Sequence, residues 1–322
     1  MGFVYSQLFV QLPYPTGSYA GKTIVVTGSN TGLGKEAARH YARLGASRII
    51  LAVRSIDKGN VAKADIESTT SCGEKTIEVW QLDMGSYASV KDFAAKLQSK
   101  LGRVDIFNAN AGLAKTKYNL VEDNEEMITV NVISTFLLAA LVLPKLKETA
   151  NRFNVQPTLA ITSSGAHAFA KFPQKDAAEG QIFNTINDPN ASQKVFGEQY
   201  PLSKLLEIFA VRSIGEKDLG VTVNCLSPGF CESELARDAD GIAFPMMKFF
   251  LARTTEKGSR TVVHAGSCGS ETHGKYLSDC KVAEPAAIVT GPEGRKLQER
   301  LWDELTQKLE AIQPGVTANF RS

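Results

Sequence analysis

Tyr200 and Lys204 stand four residues apart in Tyr200-Pro201-Leu202-Ser203-Lys204, a spacing that puts both side chains on one face of a helix. A phenol titrates near pH ~10 and is a poor proton shuttle at neutrality. A nearby cation favours the phenolate, so a Tyr–Lys pair can move a proton closer to neutral pH. Upstream, an apolar run ends in the paired serines Ser163 and Ser164, whose hydroxyls could hydrogen-bond a reacting oxygen. Near the start lies Thr27-Gly28-Ser29-Asn30-Thr31-Gly32-Leu33-Gly34-Lys35. Its glycines let the backbone turn sharply and approach a pyrophosphate, while the following helix offers unpaired N–H groups and its positive end. The five cysteines include no C-x-x-C pair and the four histidines are scattered, so no metal centre is expected.

Elements must place these groups together. Thr23–Val26, Arg48–Val53, Ile77–Leu82, Val104–Phe107, Thr158–Thr162 and Val221–Leu226 read as β-branched or apolar strands. Helical stretches alternate with them, among them 86–101 and 122–146. Strand–helix alternation predicts an α/β fold: a Rossmann-type, doubly wound parallel sheet with helices on both faces, binding ligands beyond the carboxyl ends of its strands. The expected organisation is an irregular arm over residues 1–20, broken by Pro13, Pro15 and Gly17, followed by one domain over 21–322. That domain carries a substrate-lid region at about 230–260 and a C-terminal helix over 294–312 with a stripe of Leu297, Leu301, Leu305 and Leu309.

The glycine turn, spaced G-x-x-x-G-x-G, together with Asn110-Ala111-Gly112, Ser163-Ser164, Y-x-x-x-K and Pro228-Gly229 in this order, resembles the short-chain dehydrogenase/reductase family. The wording TGSNTGLGKEAA is similar to its retinol-dehydrogenase-like branch. The resemblance runs from residue 27 to about residue 233 and implies catalytic roles for Ser164 (with Ser163 as the fallback), Tyr200, Lys204 and Asn131. Ser164 would polarise the substrate oxygen and Asn131 would hold a water in a proton relay to the lysine. The implied cofactor contacts are Gly28, Ser29, Asn30, Thr31, Gly32, Leu33, Gly34, Arg54, Asp83, Met84, Asn110, Ala111, Gly112, Tyr200, Lys204, Pro228, Gly229 and Ser233. The chain departs from the family's N-N-A-G motif at Ala109.

The end of the second strand, Val53-Arg54-Ser55, lacks the acid that would bind a ribose 2′-OH and offers an arginine suited to a 2′-phosphate. The expected cofactor is therefore NADP(H) rather than NAD(H). The implied reaction is that of a ketoreductase of secondary metabolism, reducing a ketone or aldehyde to an alcohol. Oxidation, a non-redox step on the same scaffold, and a silent NADP-binding protein are the alternatives. Ile242 to Leu251, rich in aromatics and methionine, suits either an adaptable pocket wall or a packed helix, and as a wall would select a bulky lipophilic small molecule. His167, Phe169 and Phe172 are candidate flap contacts within the long segment 165–199.

A net charge of +2 among 36 basic and 34 acidic residues gives no sign of a nucleic-acid partner. The longest apolar run, Val132–Pro144, is too short for a transmembrane segment, which needs about 20 residues. Reduced thiols and the lack of a leader pattern suggest a cytoplasmic protein. Relatives in the family often form a homodimer through helices matching about 122–146 and 200–215; the longer, retinol-type ones need not.

Overall fold

The computed structural model describes residues 3–192, 197–232 and 251–321. Its centre is an eight-stranded sheet built from β1 (Thr23–Thr27), β2 (Arg48–Val53), β3 (Ile77–Gln81), β4 (Ile106–Ala109), β7 (Thr158–Thr162), β8 (Thr222–Ser227), β9 (Tyr276–Ser278) and β10 (Lys281–Val282). A small hairpin, β5 (Leu120–Val121) and β6 (Asn124–Glu125), lies apart from it. The sheet order is β10-β9-β8-β7-β4-β1-β2-β3, parallel except for the β10–β9 pair. β1 sits between β2 and β4, with Val26 opposite both Leu51 and Asn108. The winding reverses there, which opens a crevice at the carboxyl ends of the strands.

Alternation along the strands sorts the core into two layers. Val25, Ile50, Phe107, Leu159, Ile161 and Val223 face one side. They pack under α4 (Tyr87–Lys100), α5 (Ser134–Phe153), α8 (Gln199–Ile214) and the C-terminal helix Gly294–Ile312. Ile24, Val26, Ile49, Leu51, Ile106 and Ala160 face the other. There they meet α2 (Gly32–Arg43), α3 (Ile56–Thr70) and the helix Thr255–Ser267. The predicted leucine stripe is buried as a set. Among the described residues one helical stretch, Ile128–Phe153, is apolar and long enough to cross a membrane, but 89% of its apolar 18-residue window is buried in this core.

Three expectations are corrected. The arm was expected to be irregular, yet it contains the helix α1 (Phe3–Phe9). Arg43 and Arg260 flank the Tyr14 ring, and Arg260 donates to the Leu12 carbonyl, so the arm is pinned along α2 and the helix Thr255–Ser267. The helix expected from 122 begins later. Glu122 takes a left-handed φ of 50° in the hairpin turn, and the buried Glu125 carboxylate accepts the Ile128 N–H to start a π-helical turn, Ile128–Ile133, ahead of α5. The strands β9 and β10, too short to carry a periodic signal, extend the sheet.

The segment 165–199 carries the candidate flap contacts. It folds into α6 (Ile182–Asn187), α7 (Pro189–Ser192) and two 3-10 turns. The Glu304 carboxylate of the C-terminal helix accepts the N–H groups of Ile182 and Phe183, both at 3.1 Å, which ties α6 to that helix. His167 is committed to structure, its ring nitrogens meeting the Ser164 carbonyl at 2.7 Å and the Ala286 N–H at 3.0 Å. Phe172 is buried and Phe169 is 70% exposed.

Candidate functional site

The glycine turn links β1 to α2 at the crevice. Gly28 and Gly32 have φ of 64° and 59°, the left-handed region that favours glycine. A Cβ on Gly28 would come within 2.9 Å of the Ala111 backbone, and one on Gly34 within 2.6 Å of the Gly28 carbonyl. Thr27 braces the turn: its Oγ accepts the N–H groups of Asn110 and Ala111 at 2.9 and 2.8 Å. Thr31, the residue preceding α2, makes no side-chain capping bond. The first-turn N–H groups of a 12-residue helix are thus left to a ligand, and the cradle fits a dinucleotide pyrophosphate.

Not every residue of the turn offers its side chain. Ser29 is buried and donates to the Val26 carbonyl, and the Asn110 amide donates to the Thr27 carbonyl at 3.0 Å. Both build the turn. Arg54 is exposed at the end of β2 and forms no salt bridge among the described residues, whereas Lys35 and Arg39 are both paired with Asp65. Asp83 serves its own turn, accepting the Gly85 N–H at 2.9 Å, and Met84 is buried beside it. At the motif's departure Ala109 is buried, and the neighbouring Asn108 donates to the Tyr41 hydroxyl.

The Tyr–Lys pair sits at the start of α8. Lys204 Nζ lies 5.8 Å from the centre of the Tyr200 ring. The paired serines divide their work. Ser164 Oγ accepts the Ala166 N–H at 3.1 Å and is close enough to the Tyr200 phenol to pull it down, while Ser163 Oγ turns inward and donates to the Lys204 carbonyl at 2.9 Å. Asn131, expected in mid-helix, lies in the π-helical turn, a geometry frequent at functional sites. Protein takes three of its four hydrogen-bonding positions: Oδ1 accepts the Leu113 N–H, and Nδ2 donates to the Leu113 carbonyl and to Ser203 Oγ. A Cβ on Gly112 would be 3.2 Å from Asn131 Oδ1 and 3.5 Å from Lys204 Nζ, so these groups converge on the Asn110-Ala111-Gly112 loop.

Charge in this pocket departs from the simple expectation. Burial pushes the Tyr200 phenol up; Lys204 and the Ser164 hydroxyl pull it down, and Glu207 adds to the upward side. The net direction is upward, opposite to that expected from a lone neighbouring lysine. The main reason is burial, and Glu207, which the motif reading missed, adds to it. Its Oε1 lies 2.7 Å from Lys204 Nζ, which also donates to the Thr162 carbonyl at 2.9 Å. A charge inside the apolar run Leu205-Leu206-Glu207-Ile208-Phe209 was the available signal.

On the other side, Ser227 Oγ accepts the Gly165 and Gly229 N–H groups and ties the ends of β7 and β8 together. Gly229 has a φ of 79°, and a Cβ there would meet Arg253 at 2.7 Å and Gln7 at 2.8 Å. Arg253 pairs with Asp279 at 2.7 Å and donates to the Ser6 carbonyl, bringing α1 to the Pro228-Gly229 turn. Nothing in the arm's sequence indicated this. Ser233 and residues 242–250 of the expected lid lie outside the described residues.

A sequence model described as short chain dehydrogenase matches residues 22–155. The chain is 61% identical over 324 residues to a short chain dehydrogenase/reductase of Cryptosporiopsis sp. (strain 8999), covering 99% of this chain and 100% of the relative. Among solved structures it is similar to an archaeal alcohol dehydrogenase from Thermococcus sibiricus complexed with 5-hydroxy-NADP. That match has a TM-score of 0.58 and 22% identity, covering 80% of this chain and 95% of the other. A 3-ketoacyl-(acyl-carrier-protein) reductase from Brucella melitensis complexed with NADH gives a TM-score of 0.61 at 18% identity, covering 81% and 97%. The chain belongs to the short-chain dehydrogenase/reductase family, oxidoreductases that act on CH–OH and C=O groups with a nicotinamide cofactor.

Proposed function

We propose that this protein is an NADP(H)-dependent carbonyl reductase of secondary metabolism, acting on a bulky lipophilic ketone or aldehyde. The observation that carries the reading is the placement of Lys204 Nζ 5.8 Å from the centre of the Tyr200 ring and beside Gly112, at the carboxyl edge of the sheet where Ser164 ends β7 and acts on the same phenol. When bound, the reduced cofactor supplies the hydride that the carbonyl carbon accepts. Tyr200 gives its proton to the carbonyl oxygen, which the Ser164 hydroxyl polarises by hydrogen bonding. Lys204 faces the ribose, and the N-terminus of α2 faces the pyrophosphate. The upward-shifted phenol supports the reductive direction: it stays protonated, and so able to donate, until the pH rises through its raised pKa.

Arg54 supports the choice of NADP(H), because it offers an exposed guanidinium with no salt bridge among the described residues where an NAD-binding chain would carry an acid. The buried state of α5 and α8 supports a monomer over a homodimer. The faces of α8 from Leu202 to Val211 are covered within the chain, partly by Leu297, Leu301 and Leu305 of the C-terminal helix.

Three outcomes test these statements. In an assay of NADPH consumption against apolar ketones and aldehydes, Tyr200→Phe should abolish turnover while leaving NADPH affinity nearly unchanged; normal turnover in that variant contradicts the role of Tyr200. Arg54→Ala should weaken NADPH binding about tenfold to a hundredfold, the worth of a charge-assisted contact to phosphate, and leave NADH binding unaltered. Equal losses for both cofactors would remove the 2′-phosphate role. Sedimentation equilibrium should give the mass of one chain at micromolar concentration, and a stable dimer there would show that another face mediates pairing.

A further inference from the structure

The Lys204–Glu207 pair is not part of the Tyr–Lys motif. Glu207 is 1% exposed and Lys204 4% exposed, so both charges are held out of water. Of the three N–H donors of the ammonium, one goes to Glu207 Oε1 and one to the Thr162 carbonyl, which leaves one for the side lined by Gly112 and Tyr200. Glu207 Oε2 is buried with no hydrogen-bond partner among the described residues. We infer that Glu207 is a positioning residue that keeps the buried Lys204 a charged ammonium and fixes its direction, so that one N–H remains for the cofactor ribose; this rests on the cofactor reading above.

The physical ground is the cost of a buried charge. An ammonium removed from water without a counter-ion sheds its proton. The groups facing this one are few. Tyr200 comes from α8 itself. β7 supplies the neutral Thr162 carbonyl and Ser163 hydroxyl, the π-helical turn the neutral Asn131, and β8 the Cys225 thiol, which burial pushes up and keeps neutral. Among the described residues Glu207 is therefore the negative charge available to Lys204. Burial works against the ammonium, yet Glu207, first among the groups that oppose it, together with Tyr200 and Cys225 turns the net direction upward. Glu207 itself is raised to about 7 by burial, opposed by Lys204 and Ser163.

Removing the carboxylate moves the alkaline limit of reduction to lower pH by either of two routes. If Lys204 loses its charge, its ammonium disappears at lower pH. If it stays charged but uncompensated, it draws the Tyr200 phenol down, and the proton donor disappears at lower pH.

Glu207→Gln, made in the full chain, keeps the volume and removes the charge. NADPH binding followed by fluorescence, and the pH profile of carbonyl reduction, are measured from neutral to alkaline pH. The alkaline limb of the variant should lie about one pH unit or more below that of the parent, a tenfold change in protonation. NADPH affinity should become weaker or more pH-dependent. A folded variant with the parent's limb and the parent's affinity at every pH overturns the inference. Titration of ¹³Cε-labelled lysine in the unaltered protein gives a second reading that needs neither the variant nor the cofactor. Lys204, assigned by its loss in Lys204→Met, should remain an ammonium to above the ordinary lysine range. A neutral amine at neutral pH overturns the inference, whereas failure of the unaltered protein to bind NADPH would overturn the cofactor reading while this titration still decides the pair.

Discussion

An ammonium buried at the head of α8 sets the terms for everything around it. Its stem crosses an apolar layer, and its head cannot stay charged there unless several elements supply partners. β7 gives the Thr162 carbonyl, α8 gives Glu207, and the Asn110-Ala111-Gly112 loop leaves room by carrying no side chain at Gly112. Each partner is useful only if the strands end in register. β7 is paired from Thr158↔Thr222 to Thr162↔Leu226 with β8, and from Ile106↔Thr158 to Ala109↔Ile161 with β4. A slip of one residue would turn these side chains to the opposite face of the sheet.

The same demand explains the hydrogen bonds that cross between loops. Thr27 joins the glycine turn to the loop after β4, Ser227 joins the loop after β7 to the turn after β8, and Asn131 joins Leu113 to Ser203. These contacts hold four connections and the start of α8 at fixed distances. Polar side chains such as Ser29, Asn110 and Asp83 are spent on that framework. The cradle is thus built chiefly of backbone: glycines allow close approach, and helix N–H groups face the space.

Most of the fold was legible because it rests on strong local signals. Six strands alternating with helices gave the doubly wound sheet, and the four leucines from 297 to 309 marked a face that is indeed buried. What escaped had no local period. β9 and β10 have three and two residues, α1 has seven, and the start of α5 depends on the buried Glu125 carboxylate capping a π-helical turn. In the site, residue types placed Tyr200, Lys204 and Ser164 together. They did not disclose which atoms the lysine would bind, nor that Tyr200 would be shifted upward, because both depend on Glu207 and on burial. The reach of Gln7 and Ser6 to the Pro228-Gly229 turn is a tertiary fact that spacing in the arm could not encode.

The central claim is that these residues form one cofactor-binding and proton-transfer site at the carboxyl edge of β1, β4 and β7. A crystal structure of the protein with NADP⁺ tests it most directly. The account predicts the pyrophosphate on the first-turn N–H groups of α2, the 2′-phosphate at Arg54, the ribose at Lys204, and the nicotinamide between Tyr200 and the Pro228-Gly229 turn. A cofactor lying elsewhere, or one whose nicotinamide is out of reach of both Ser164 and Tyr200, would contradict it.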